Sequence, residues 1–118
     1  MASPVQNNQS SQLLVGIDVG STTAKIAVMD AASHEMLMRR YVRHHAQQAN
    51  CLKSLLAELD QRFEGIPMRA ALCGSGGAAL AEALDLPYVQ EVVANSLAVG
   101  ANYPTARTAI ELGGQDAK

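Results

Sequence analysis

The stretch Gly16-Ile17-Asp18-Val19-Gly20-Ser21-Thr22-Thr23-Ala24-Lys25 is the most informative part of the sequence. It joins two apolar runs, 13–17 and 24–29, whose Val and Ile content predicts a β-hairpin. The turn is longer than the two residues that a tight hairpin needs, and it carries a glycine and three hydroxyls. The N–H groups and hydroxyls of such a loop can converge on an anion, and Asp18 at its mouth could hold a divalent cation or orient a water. An ordinary hairpin with a polar tip fits the loop equally well.

Composition limits what this hairpin can belong to. A chain of 118 residues that is 48% hydrophobic predicts about one domain with a real core. A net charge of −2, 3% aromatic residues and no Trp argue against nucleic acid as a partner. Cys51 and Cys73 lie outside any C-x-x-C spacing, which favours reduced thiols and a cytoplasmic protein. We expect no membrane span, and a disordered lead-in over 1–12 without a signal peptide.

The remaining pattern predicts an α/β layout that begins as an antiparallel meander and continues with parallel strands, with helices on both faces. A helix is predicted from the apolar stripe that Leu52 to Phe63 form at helical spacing. The other predicted elements are strands at 36–42, 69–73, 88–90 and 108–112, a short helix at 78–84, and a closely packed helix of small residues at 92–101.

Gly113-Gly114-Gln115-Asp116 follows the last predicted strand and, like the opening loop, combines glycine with an acidic residue after a strand. Alone it is most simply a tight exit turn. Together, two such loops facing each other could clamp a polyphosphate with its metal. The chain stops two residues later, which we interpret as the end of a fragment.

Three other features have competing interpretations. Gly74-Ser75-Gly76-Gly77-Ala78-Ala79 matches a dinucleotide-binding fingerprint, but it follows a meander and its candidate acid, Glu91, comes slightly early. Its glycines could instead line a nucleotide cleft or start a helix tightly. His44-His45 lacks further ligands at metal-site spacing, so we expect solvated loop residues. Lys25 is either a solvated strand residue or a phosphate ligand.

Taken together, two motifs resemble a known family. The stretch from Gly16 to Lys25 resembles the first phosphate motif of the actin, Hsp70 and sugar-kinase ATPase superfamily. Glu111-Leu112-Gly113-Gly114-Gln115-Asp116-Ala117-Lys118 resembles the second, in the form typical of the BadF/BadG/BcrA/BcrD ATPases. These proteins activate 2-hydroxyacyl-CoA dehydratases and related benzoyl-CoA reductases.

The resemblance implies a ribonuclease-H-like half of an actin-like ATPase, with a first subdomain over 13–105 and the start of a second over 106–118. It implies that Asp18 organises metal and water and that Mg²⁺ is held by Asp18 and Glu111. The implied ATP or ADP ligands are Gly20, Ser21, Thr22, Thr23, Lys25, Gly113, Gly114 and Gln115.

It further implies a homodimer that hydrolyses ATP and delivers an electron from a [4Fe-4S] cluster to an acyl-CoA dehydratase or reductase. In this family the cluster cysteines lie beyond the second motif, so neither Cys51 nor Cys73 is assigned to the cluster. Glu111 stands where shorter activators often carry Asp. The resemblance also implies a second half of the ATPase that this sequence does not include, so we expect weak or no activity from this chain alone.

Other functions remain open from the sequence. A small-molecule kinase of the same superfamily would use the same loops to phosphorylate a sugar or an acid. The sequence is also compatible with a filament or scaffold module and with a dinucleotide-binding oxidoreductase.

Overall fold

The computed structural model describes residues 12–110, which form a four-stranded sheet and three helices. In chain order the elements are β1 (Leu13–Val19), β2 (Thr23–Asp30), β3 (Met36–Arg43), α1 (Gln48–Arg62), β4 (Met68–Cys73), α2 (Gly77–Leu84) and α3 (Glu91–Asn102). The predicted lead-in and the second glycine loop, with Glu111, Gly113, Gly114 and Gln115, lie at 1–11 and 111–118, outside the described residues.

The sheet has the order β3-β2-β1-β4 and is mixed, as the sequence predicts. β1, β2 and β3 form an antiparallel meander, whereas β4 pairs parallel to β1 on its other side. A parallel neighbour requires a crossover, and α1 supplies it between β3 and β4. The carboxyl ends of β1 and β4 therefore lie side by side at one edge of the sheet.

One face of the sheet carries the hydrophobic core. Alternate residues of β1 and β2 point to it, because side chains on a strand alternate between the two faces. These side chains are at most 4% exposed and pack with one stripe of α1 and with Leu72 and Ala81. The members from β1, β2 and α1 are Leu13, Val15, Ile17, Val19, Ala24, Ile26, Val28, Leu52, Leu55 and Leu59.

The opposite face borders α3, so helices lie on both faces of the sheet. Ala94 and Leu97 of α3 line an open groove of about 690 Å³ together with Asp18, Lys25 and Cys73. The expectation that this helix packs closely is wrong. None of its residues is buried, and Leu97 is 68% exposed, because the groove separates α3 from the strands it faces.

Two predicted strands differ in the structure. The segment 88–90 makes a single bridge, between Tyr88 and Leu72, because α3 begins at Glu91 and leaves no room for a ladder. Residues 108–110, the described part of the predicted strand 108–112, have no regular secondary structure.

Within residues 12–110, no helix combines the length and the apolar character needed to cross a bilayer.

The carboxyl ends of β1 and β4 lie so close together that the position after β4 requires a glycine. Gly74 directly follows β4 and has a φ of +99°, a region that L side chains rarely adopt. A Cβ built on Gly74 would lie 2.5 Å from Asp18 Oδ1 and even closer to the carbonyl oxygen of Val19. Only a residue without a side chain lets β4 end beside Asp18.

We therefore expect Gly74→Ala to lower the free energy of unfolding by about 2 kcal/mol or more, because both the backbone conformation and the contact become strained. Gly100→Ala is the matched control. A Cβ at Gly100, in α3, meets no described atom within 4 Å, so this change should stabilise the protein by up to about 1 kcal/mol. Urea unfolding of both variants tests this prediction, and equal effects would contradict the close approach.

Candidate functional site

Asp18 and Lys25 face each other across the hairpin. They are register partners at the end of β1 and the start of β2, and Lys25 Nζ lies 3.3 Å from Asp18 Oδ2. Nζ also lies 5.5 Å from the centre of the Tyr41 ring. Lys25 is therefore held at the site, although its side chain is 41% exposed. An exposed ion pair of this kind contributes at most about 1 kcal/mol to stability, so the fold does not require it.

The loop that follows β1 is closed by its own backbone. The N–H of Gly20 donates to the carbonyl oxygen of Thr23, at 2.8 Å. The carbonyl oxygen of Val19 accepts from Gly76, and those of Gly20 and Thr22 accept from His44. Four carbonyl groups around the loop are thus already engaged.

The N–H groups of Ser21 and Thr22, by contrast, donate to no group among residues 12–110. Ser21 is exposed, and Thr22 and Thr23 are partly exposed. With those four carbonyls engaged and these donors available, the loop offers an anion two backbone N–H groups and three hydroxyls. The predicted loop residues are therefore together beside Asp18, and their role as nucleotide ligands stays a prediction.

His44 is the functional residue that sequence reasoning missed. The prediction of a solvated residue is wrong, because His44 is 3% exposed, whereas its neighbour His45 is exposed. His44 Nε2 lies 2.8 Å from the Gly20 carbonyl oxygen, and its backbone N–H donates to Thr22 at 3.1 Å. The burial pattern of β3 held no signal for this, since Arg40 and Val42, which lie between Met38 and His44 on the same face, are exposed.

The glycine loop after β4 packs directly against the first loop. The N–H of Gly76 donates to the Val19 carbonyl oxygen at 2.8 Å, and the Tyr88 hydroxyl donates to the Gly74 carbonyl oxygen at 2.8 Å. A Cβ at Gly76 would lie 3.3 Å from Val19. Close packing thus accounts for these glycines, and the antiparallel half of the sheet departs from the parallel dinucleotide-binding fold.

Acidic groups at this edge of the sheet affect the Tyr88 hydroxyl. Burial raises the pKa of the Tyr88 hydroxyl, and the charges of Glu91, Cys73 and Asp18 raise it further. No group of three His, Cys, Asp or Glu side chains suited to a metal occurs within residues 12–110. Asp18 alone still fits Mg²⁺, which is commonly held by one or two carboxylates together with substrate phosphates and waters.

The two cysteines do not share a site. Both are free thiols; Cys51 packs against the core from α1, whereas Cys73 lines the groove on the opposite face of the sheet.

Comparison with known structures identifies the architecture. Component A of the (R)-2-hydroxyglutaryl-CoA dehydratase from Acidaminococcus fermentans matches 91% of this chain with a TM-score of 0.71 and 22% identity. The activator of the 2-hydroxyisocaproyl-CoA dehydratase from Clostridium difficile, with bound ADPNP, matches 89% with a TM-score of 0.64 and 20% identity. A Ppx/GppA phosphatase from Aquifex aeolicus matches 90% with a TM-score of 0.53 and 12% identity.

The chain has the ribonuclease-H-like fold of the actin-like ATPases. It spans 41% and 39% of the lengths of the two dehydratase proteins. No protein-family model and no curated protein matches the sequence.

The raised pKa of Tyr88 predicts a pH dependence of stability. Because the folded state favours the neutral phenol, this contribution is present below about pH 10, the ordinary tyrosine value, and is lost as the pH rises through the folded pKa. The free energy of unfolding should therefore fall less steeply between about pH 9 and pH 11 in Tyr88→Phe than in the wild type. Tyr103→Phe, at a tyrosine that is 69% exposed, should keep the wild-type slope. A Tyr88→Phe profile parallel to the wild type would contradict the assignment.

Proposed function

We propose that this chain is the first lobe of an ATP-binding and ATP-hydrolysing activator. The observation that carries this proposal is the loop after β1, whose carbonyls are engaged while Ser21 and Thr22 keep available N–H groups beside Asp18. The fold supports it, since one structure of the same fold is an activator with bound ADPNP. The proposed partner is a 2-hydroxyacyl-CoA dehydratase or a benzoyl-CoA reductase type of enzyme.

Each residue of the loop has a proposed role. The backbone N–H groups of Ser21 and Thr22, with the hydroxyls of the loop, bind phosphate oxygens. Gly20 permits the close turn, and Thr23 closes it through its carbonyl oxygen. Lys25 leaves its contact with Asp18 to pair with a phosphate, so that neither charge loses a partner.

Asp18 is the proposed catalytic carboxylate. In the nucleotide complex it holds Mg²⁺ or orients the water that attacks the γ-phosphate. Mg²⁺ supplies charge neutralisation on the phosphates when bound. Positioning and electrostatic stabilisation account for most of the rate in phosphoryl transfer, and a rigid strand end provides the positioning.

The second loop completes the proposed site. Glu111 is proposed to add a metal ligand, and Gly113, Gly114 and Gln115 to bind phosphate from the opposite side. Two loops that grip the same γ-phosphate would release each other on hydrolysis, which couples ATP to a change of shape. The partner protein and the homodimer belong to the same proposal.

The residues of this chain do not fit an iron–sulfur cluster. A [4Fe-4S] cluster takes four cysteine thiolates, and the two cysteines present lie on opposite faces of the sheet. Electron delivery in the proposed activator would therefore depend on ligands outside this chain, and no step of it involves Cys51 or Cys73.

Removing the Asp18 charge tests the proposed chemistry. In the protein that carries both lobes, Asp18→Asn should lower the rate of Mg-ATP hydrolysis by about 100-fold or more, because the metal and the water lose their organising group. Asp60→Asn, at an exposed position of α1, changes the same functional group away from the site and should hydrolyse ATP normally. Wild-type turnover by Asp18→Asn would refute the role of Asp18, and phosphate transfer to a sugar or an acid would favour a kinase.

The choice of nucleotide separates the proposal from a dinucleotide oxidoreductase. A ligand at about 100 times its Kd adds about 2.7 kcal/mol to stability, so Mg-ATP should raise the melting temperature by several degrees. NAD at the same concentration should leave it unchanged. Stabilisation by NAD alone would favour the oxidoreductase instead.

A further inference from the structure

We propose that His44 is a positioning residue of the phosphate loop, holding the carbonyl groups of Gly20 and Thr22 so that the neighbouring N–H groups remain available to an anion. This inference rests on the proposed phosphate-binding role of the loop. It assigns a part in that role to the turn between β3 and α1, which contributes no proposed phosphate ligand.

The contacts of His44 indicate the tautomer of its ring. The N–H of Ala46 donates to Nδ1 at 3.1 Å, so Nδ1 carries a lone pair and the ring proton of the neutral imidazole is on Nε2. Nε2 can therefore donate to the Gly20 carbonyl oxygen, 2.8 Å away. Both ring nitrogens are satisfied, as a buried imidazole requires.

The His44 ring contacts occur in a turn with strained backbone angles. His45 and Ala46 have φ values of 52° and 63°, in the left-handed region that side chains other than those of Asn and Asp rarely occupy. This conformation accompanies the return of the Ala46 N–H to the His44 ring. The carbonyl oxygen of His44 then accepts from Gln47, which precedes the first residue of α1. Strain in consecutive residues needs surrounding contacts that hold it in place.

The ring and the backbone N–H of His44 together limit which backbone groups the loop can present. A carbonyl oxygen that turned toward a bound phosphate would repel it, whereas N–H groups attract it. Two contacts from one residue, one from the ring and one from the backbone, hold the carbonyls of Gly20 and Thr22. A histidine that only filled the core would have no such link to the loop.

Two substitutions separate the two ring contacts. His44→Gln places an amide N–H₂ where Nε2 lies and keeps the donor to Gly20, but it loses the acceptor for Ala46. His44→Asn places an amide oxygen where Nδ1 lies and keeps that acceptor, but it does not reach Gly20. His45→Asn makes the same chemical change one residue away, at an exposed left-handed position that Asn tolerates.

The first readout is the Kd for Mg-ATP, measured by calorimetry alongside the melting temperature of each variant. We expect His44→Asn to weaken binding by about tenfold, and His44→Gln and His45→Asn to stay within about threefold of the wild type. Wild-type affinity in His44→Asn would overturn the proposal. The proposal would also be overturned if the loss of affinity in each His44 variant were proportional to its loss of stability.

The second readout needs no nucleotide. In the free protein, hydrogen exchange at the Gly20 amide, which donates to the Thr23 carbonyl oxygen, should accelerate in His44→Asn and stay near the wild-type rate in His44→Gln. If the wild type fails to bind Mg-ATP, the proposed function fails, and this exchange comparison still decides the role of His44. If a variant does not fold, the ring nitrogen shifts of wild-type His44 decide it, since a proton on Nδ1 rather than on Nε2 would overturn the assignment.

Discussion

The close contact between the carboxyl ends of β1 and β4 is the constraint on which the rest of the site depends. The parallel pairing brings Asp18 and Cys73 into register, and the chain beyond β4 then passes so near Asp18 that Gly74 has no space for a side chain. Hydrogen bonds from Gly76 to Val19 and from Tyr88 to Gly74 hold the two loops together. The acidic strand end is thereby fixed at the sheet edge and not left at the tip of a free hairpin.

The hairpin loop is held from two sides. On the β4 side, Gly76 engages the carbonyl oxygen of Val19, and on the β3 side His44 engages those of Gly20 and Thr22. The core on one face of the sheet makes the strand ends rigid, because its side chains are almost wholly buried. A loop that is fixed through its carbonyls can present its N–H groups to an anion with little further loss of entropy.

Much of this fold could be predicted from the sequence, because its signals are local. The alternation of apolar residues sets β1 and β2, and the helical stripe of Leu52, Leu55 and Leu59 sets α1. The strand predicted at 88–90 fails because its length depends on where α3 begins. α3 carries apolar residues that composition assigns to a core, yet these residues meet none of the described strands closely enough to be buried.

Some features of the candidate site could likewise be predicted from the sequence, and others could not. Asp18 and its loop are recognisable from the order of residue types, since a strand, an acid and a run of small polar residues are contiguous. The pairing of Asp18 with Lys25 and the burial of His44 depend on register and tertiary contacts between separate strands. A histidine that follows several arginines suggests exposure to solvent, and the exposed residues at the end of β3 give no sign that His44 is buried.

The central claim is that the loop from Gly20 to Thr23 binds the phosphates of a nucleotide next to Asp18. An amide ¹H–¹⁵N titration of the protein with Mg²⁺ and a non-hydrolysable ATP analogue tests it most directly. We expect the largest shifts at Ser21 and Thr22, whose N–H groups are available, and smaller shifts at Asp18. Shifts confined to the glycine loop at 74–77, or the absence of any shift at residues 18–23, would contradict it.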